Sequence, residues 1–216
     1  MSYPFAGYDI GVLVMTSWVP KPMGHISQAG NYNFPVYYYP VDSTNTTNIH
    51  GGDKTILPDL VNAAKHLEKM GCKCITSSCG YFAHFQKEIA EAVDVSVCLS
   101  SITLIPLLIP MLRGDEKLAI LCYNKEKLNL ELFKACNVSE KMLERCVIRD
   151  VIHEKEFSNI IKDAPWDESL GARSFALKLL NMSSQDSRAC VRAAKKEPAK
   201  LPVLRCPFDL SRNVYA

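Results

Sequence analysis

The sequence predicts an α/β protein built on parallel sheets. Short apolar runs of β type alternate along the chain with segments of helical spacing, which is the mark of βαβ units. The 48% hydrophobic and 22% charged residues are those of a folded globular protein, which sets aside disordered and fibrous classes. With 216 residues the chain can bury a core without disulfide staples.

Taken in order, residues 9–15 predict a buried strand and residues 36–40 a second, in which Tyr37, Tyr38 and Tyr39 pack. Residues 57–69 predict a helix, because apolar side chains recur at 57, 60, 61, 64 and 67. A strand over 72–76, a helix over 80–92, a short strand over 95–100 and a helix over 102–112 complete a first half, residues 1–112. Arg113-Gly114-Asp115 carries turn chemistry and opens the second half, residues 113–216. There the pattern predicts a strand over 118–123, a helix over 125–136, a strand over 146–152, a helix over 186–195 and a last strand over 201–205, while 174–182 fits either type.

Several classes of function are excluded at this level. A net charge of +2 lacks the basic footprint that nucleic acid demands. The opening MSYPFAGYDIGVLVM has no basic region ahead of its apolar run, so a secretory signal is not expected. The apolar run over 93–112 is interrupted by Asp94, Pro106 and Pro110, which argues against a membrane span and for a cytoplasmic location. Nine cysteines, an odd number scattered through apolar runs, read as reduced thiols. Cys72 and Cys74 share a strand face and Cys79 lies beyond it with no fourth ligand near, so no metal is expected. His25 and His50 lie in loops rich in Gly and Asn. His50 is expected to be solvated, whereas His25, soon after the first strand, is placed to line a cleft.

In open parallel sheets ligands collect at the carboxyl ends of strands. The residues there include Met15, Thr16, Ser78, Cys79, Gly80, Ser100, Ser101 and Asn124, and from the less defined stretch near 181–184, Ser183. Hydroxyl and amide donors of this kind suit a small anion. Cys79, between a strand and a helix start, is the candidate nucleophile or base, because a helix N-terminus favours the thiolate over the free thiol. Gly80 lets backbone amides approach a ligand closely.

The stretch Ile75-Thr76-Ser77-Ser78-Cys79-Gly80-Tyr81-Phe82-Ala83 resembles the first active-site cysteine motif of the aspartate/glutamate/hydantoin racemase superfamily. Ile10-Gly11-Val12-Leu13-Val14-Met15, Pro22-Met23-Gly24-His25-Ile26, Asn33-Phe34-Pro35-Val36 and the ending Leu201-Pro202-Val203-Leu204 are similar to the same group. The resemblance implies two pseudo-symmetric Rossmann-like lobes, 1–112 and 113–216, with the site in the cleft between them. It also implies that no cofactor is used, that the substrate is a small carboxylate, and that two cysteines flank its α-carbon, one removing a proton and the other returning one. It leaves room for a homo-oligomer. Where the second cysteine belongs, the chain reads Leu177-Lys178-Leu179-Leu180-Asn181-Met182-Ser183-Ser184, without a thiol. The readings that follow are a racemase-like isomerase using Cys79, with Ser183 or Ser184 on the second face; a one-thiol lyase, decarboxylase or cis-trans isomerase; and a vestigial protein that binds an anion without turnover.

Overall fold

The computed structural model describes residues 7–17, 21, 24–154 and 204–205. Its strands form two parallel sheets. The first has the order β2-β1-β3-β4 and consists of β1 (Ile10–Met15), β2 (Val36–Val41), β3 (Cys74–Ser77) and β4 (Ser96–Val97). The second, β6-β5-β7, consists of β5 (Leu118–Cys122), β6 (Cys146–Asp150) and β7 (Leu204–Arg205). The connections hold α1 (Thr46–Gly51), α2 (Leu57–Lys69), α3 (Gln86–Ala92), α4 (Ile105–Leu108), α5 (Leu130–Ala135) and α6 (Glu140–Leu143). The chain is thus mixed α/β, with parallel strands flanked by helices, as the alternation of its sequence predicts.

β1 is an inner strand, and its near-continuous apolar run IGVLVM is what a strand covered on both faces requires. Gly11 lets α2 lie directly on it: a Cβ at this position would meet the Cys72 Sγ at 2.9 Å and the Leu67 Cβ at 3.1 Å. α2 buries Leu60, Ala63, Ala64 and Leu67, the stripe that its spacing predicts, and has Pro58 in its first turn, where the missing N–H costs nothing. One cluster of buried side chains runs from Leu13, Ile75 and Phe82 through to Ile120, Leu121 and Phe133, so both sheets share apolar packing.

Several boundaries differ from the sequence expectation, each for a local reason. Residues 80–92 are a 3-10 turn, Gly80–Phe85, followed by α3. All six residues of that turn are buried, so packing on every side overrides the helical period. Residues 102–112 break into a 3-10 turn at Ser101–Leu104, α4 and a second turn at Ile109–Met111, because Pro106 and Pro110 remove two helical donors. Residues 125–136 divide into a turn at Lys125–Lys127 and α5, whose start is set by Asn129 accepting from the Leu132 N–H. The strand expected over 72–76 begins only at Cys74, since the Cys72 N–H closes the end of α2 on the Leu67 carbonyl.

β4 is shorter than residues 95–100 because a side chain takes over its pairing. The Gln86 amide donates to the Val97 carbonyl at 2.9 Å and accepts from the Leu99 N–H at 2.8 Å, standing in for a neighbouring strand. The tyrosine run does lie in β2, but half-buried rather than in the core, with Tyr37 and Tyr39 against His66. The elements expected over 174–182 and 186–195 lie outside the described residues. Among the described residues no helix is long and apolar enough to cross a membrane.

Tyr81 joins the two sheets. Its ring is buried, and its hydroxyl both donates to the Asn124 carbonyl at 2.8 Å and accepts from the Asn124 N–H at 2.7 Å. Tyr81→Phe leaves both peptide groups without that partner. It is expected to lower unfolding free energy by about 1–3 kcal/mol, read as a shifted urea midpoint at unchanged slope.

Candidate functional site

The end of β3 is held in place by its serines. The Ser78 N–H donates to the Leu13 carbonyl at 2.9 Å, and its Oγ accepts from the Met15 N–H at 2.8 Å, which carries the β1 pairing past the last strand residue. The Ser77 hydroxyl lies 3.0 Å from the Cys79 carbonyl and 2.6 Å from the Leu99 carbonyl. These bonds leave Cys79 at the N-cap of the Gly80–Phe85 turn, in extended backbone conformation and 8% exposed.

α1 brings a partner to this thiol. Asn45 and Asn48 form a reciprocal capping box at its start, and Gly52 ends it in the left-handed conformation with φ of 66°. In its last turn His50 is buried, with Nε2 3.7 Å from the Cys79 Sγ. The His50 ring lies 4.1 Å from the Tyr81 ring and 5.8 Å from that of Tyr123. The expectation that His50 is solvated is therefore wrong. Its stretch of Asn and Gly is a capped helix, and the overlooked signals were an N-cap Asn and an αL Gly spaced to bracket one. Burial, with the charges of Lys127 and His84, holds the His50 pKa down to about 4. At neutral pH the ring is uncharged and its Nε2 can accept a proton.

His84 backs the pair. Its ring is buried against Gly52, where a Cβ would meet Nδ1 at 2.7 Å, and it faces the carbonyls of His50 and Lys127. Burial and the Lys54 ammonium lower its pKa, against the pull of those carbonyls, and Nε2 has no hydrogen-bond partner among the described residues. His25 is buried too, with Nδ1 accepting from the Ser27 N–H at 3.0 Å. Burial, and then Lys21, brings its pKa to about 4.

The other expected site residues occupy the strand ends but spend polar atoms on structure. Met15 is buried at the end of β1. Thr16 donates its N–H to the Thr44 hydroxyl and its own hydroxyl to the Val41 carbonyl. Ser100 caps the turn after β4 by accepting from the Ile102 N–H at 3.3 Å, and Asn124 caps the next one by accepting from the Glu126 N–H at 2.9 Å. Gly80, Ser100 and Ser101 line a small, mostly apolar recess, partly open to solvent, together with Ile120, Cys122 and Leu128. Ser183 lies outside the described residues. No three His, Cys, Asp or Glu side chains among the described residues stand close enough to hold a metal ion.

Comparison with known proteins gives two kinds of likeness. The chain is 32% identical over 124 residues to a dimethylsulfoniopropionate lyase of Durusdinium sp. clade D, covering 56% of this chain and 41% of that protein. It is 27% identical over 125 residues to dimethylsulfoniopropionate lyase 7 of Emiliania huxleyi, covering 56% of this chain and 36% of the lyase. The match thus spans less than half the length of these curated relatives. Among solved structures it is similar to an aspartate racemase homologue from Pyrococcus horikoshii OT3, with TM-score 0.42, 16% identity and coverage of 87% of this chain and 80% of that one. It is also similar to unliganded arylmalonate decarboxylase, with TM-score 0.41, 14% identity and coverage of 88% and 73%. No protein-family model matches the chain.

Two buried histidines held near 4 make stability depend on pH. Their folded pKa values lie below the unfolded value of about 6.5, so between these limits the unfolded state binds more protons. The stabilisation is complete above pH 6.5 and declines as pH falls toward 4. Ring NMR is expected to find His25 and His50 titrating near 4, with unfolding free energy falling by a few kcal/mol over the same window, to an order of magnitude.

Proposed function

We propose that this chain forms part of an enzyme that removes a proton α to the carboxylate of a small acid, with Cys79 as the base and His50 as its proton-accepting partner. The observation that carries this reading is the 3.7 Å approach of His50 Nε2 to the Cys79 Sγ at the carboxyl end of β3. A buried neutral imidazole beside a buried thiol is the arrangement that general acid and base chemistry uses to pass a proton onward. The motif around Cys79, which resembles that of the cysteine-based racemases, supports the same role. The reading needs no group beyond the chain's own side chains.

The likeness to dimethylsulfoniopropionate lyases favours elimination as the outcome. In a 3-sulfoniopropionate, the Cys79 thiolate takes the α-proton and the C–H electron pair becomes the new Cα–Cβ π bond. The Cβ–S bond breaks, with its pair passing to sulfur, so the sulfonium leaves as a neutral sulfide and an unsaturated carboxylate remains. The proton then goes from the Cys79 thiol to solvent, with His50 as the relay. Elimination needs a base on one face only. Racemisation needs an acid on the other, and the segment where the resemblance places that acid offers Ser183 and Ser184, poor proton donors, in place of a thiol.

The test follows sulfoniopropionate, aspartate, glutamate, hydantoins and arylmalonates by NMR in deuterated water, with wild type, Cys79→Ala and His50→Gln. Alkene formation from the sulfonium acid is expected, falling about 10^3-fold in Cys79→Ala and on the order of tenfold in His50→Gln. Deuterium at the α-carbon without elimination would replace the lyase with an isomerase. Silence across the panel would leave a protein that binds a small anion without turning it over.

A further inference from the structure

Proton abstraction beside a carboxylate builds a second negative charge on that carboxylate, so the site needs a cation placed where the charge develops. The buried histidine beside the thiol cannot be that cation, because His50 is uncharged at neutral pH. The hydroxyls of Ser78 and Ser100 and the side-chain carbonyl of Asn124 accept backbone N–H groups, and what these side chains can still offer an anion is a neutral donor rather than a cation.

We propose that Lys127 is the carboxylate anchor of this site, its ammonium binding the acid whose α-proton Cys79 removes. This assignment rests on the reading of Cys79 given above. Lys127 closes the Lys125–Lys127 turn that follows β5, the same end of the strands at which Cys79 follows β3. That turn is locked beside His50 at several points. Tyr81 lies on the His50 ring and grips the Asn124 backbone through both its carbonyl and its N–H. Tyr123, next in the chain, meets the other side of the pair at 5.8 Å from the His50 ring. The His84 ring faces the carbonyls of His50 and Lys127 together. The Lys127 charge reaches His50 strongly enough to lower its basicity.

Unlike Lys54, Lys73, Lys87 and Lys134, which pair with Glu88, Asp9, Glu91 and Glu131, Lys127 has no acidic partner among the described residues. Its side chain is exposed, so its ammonium is available to an incoming anion. The rival is Lys21, after β1, whose ammonium donates to the carbonyl and hydroxyl of Ser17, both at 3.3 Å. Lys21 belongs to the β1 loop, whereas the contacts around His50 come from the β5 side.

The test uses the full chain and propanoate, a carboxylate with nothing to eliminate. Alkylation of Cys79 by iodoacetamide is followed by peptide mass spectrometry at increasing propanoate, in wild type, Lys127→Gln, Lys127→Arg and Lys21→Gln. Propanoate is expected to protect Cys79 in wild type and in Lys127→Arg, while Lys127→Gln needs at least about tenfold more, the loss of one charge-assisted contact. In the same Lys127→Gln protein the His50 pKa, read by ring NMR, is expected to rise, which also reports that the fold is intact. Equal protection in Lys127→Gln, or loss confined to Lys21→Gln, would overturn the anchor while leaving Cys79 as the base. Failure of propanoate and of the sulfonium acid alike to protect wild-type Cys79 would overturn both readings.

Discussion

The structure around the thiol depends on one phenol. Tyr81 follows Cys79 by two residues, so its place is fixed by the turn that the Ser77 and Ser78 hydrogen bonds create. Its hydroxyl binds the N–H and the carbonyl of Asn124, and its ring forms one wall of the space that holds His50. One residue thus sets the distance between the end of β3 and the end of β5. A hydroxyl that binds the two peptide groups on either side of Asn124 also fixes direction, so the loop after β5 cannot slide relative to Cys79. Such fixed geometry is what proton transfer between a side chain and a carbon acid requires.

Burial serves this arrangement at a cost. Keeping His50 and His25 neutral forfeits the stability that a charged, solvated imidazole would retain at low pH. At His50 the return is a ring that stays neutral beside the thiol down to mildly acidic pH, where a solvated histidine would already carry charge. Gly52 belongs to the same account. Its positive φ ends α1, and its missing Cβ admits the His84 ring, so one glycine both stops the helix that carries His50 and makes room for the ring behind it.

The parts of the fold legible in the sequence are those in which a period and a burial pattern agree. α2 matches its expected range end to end, because Pro58 starts it and the Leu60, Ala63, Ala64 and Leu67 stripe faces β1. Boundaries fail where a long-range contact replaces a local rule. Gln86 substitutes for strand pairing at β4, and the completely buried Gly80–Phe85 turn has no solvent face to impose a helical period. The role of Cys79 is part of the proposal, and its position just past β3 was legible from the strand pattern of residues 72–76. His50 was not, because composition marked its segment as loop, although Asn45 and Gly52 are separately a start and a stop signal. Its approach to Cys79 is a tertiary fact between residues 29 apart in the chain, which no periodicity encodes.

On the proposed one-thiol reading, charge also bears on the choice of chemistry. A two-thiol racemase returns the proton it takes, so its carboxylate carries extra charge only until the second face delivers. With one thiol, the electron pair must leave by another route or the intermediate collapses back to substrate. In the proposed elimination a β-sulfonium group supplies that route, and its positive charge beside Cys79 would favour the thiolate before the reaction starts. The neutral histidine then makes sense, since a charged imidazole would compete with the substrate cation for the same thiolate. On that reading, the Cys79 thiol, an uncharged acceptor and Lys127, which has no acidic partner among the described residues, together suit a substrate that is cationic at one end and anionic at the other.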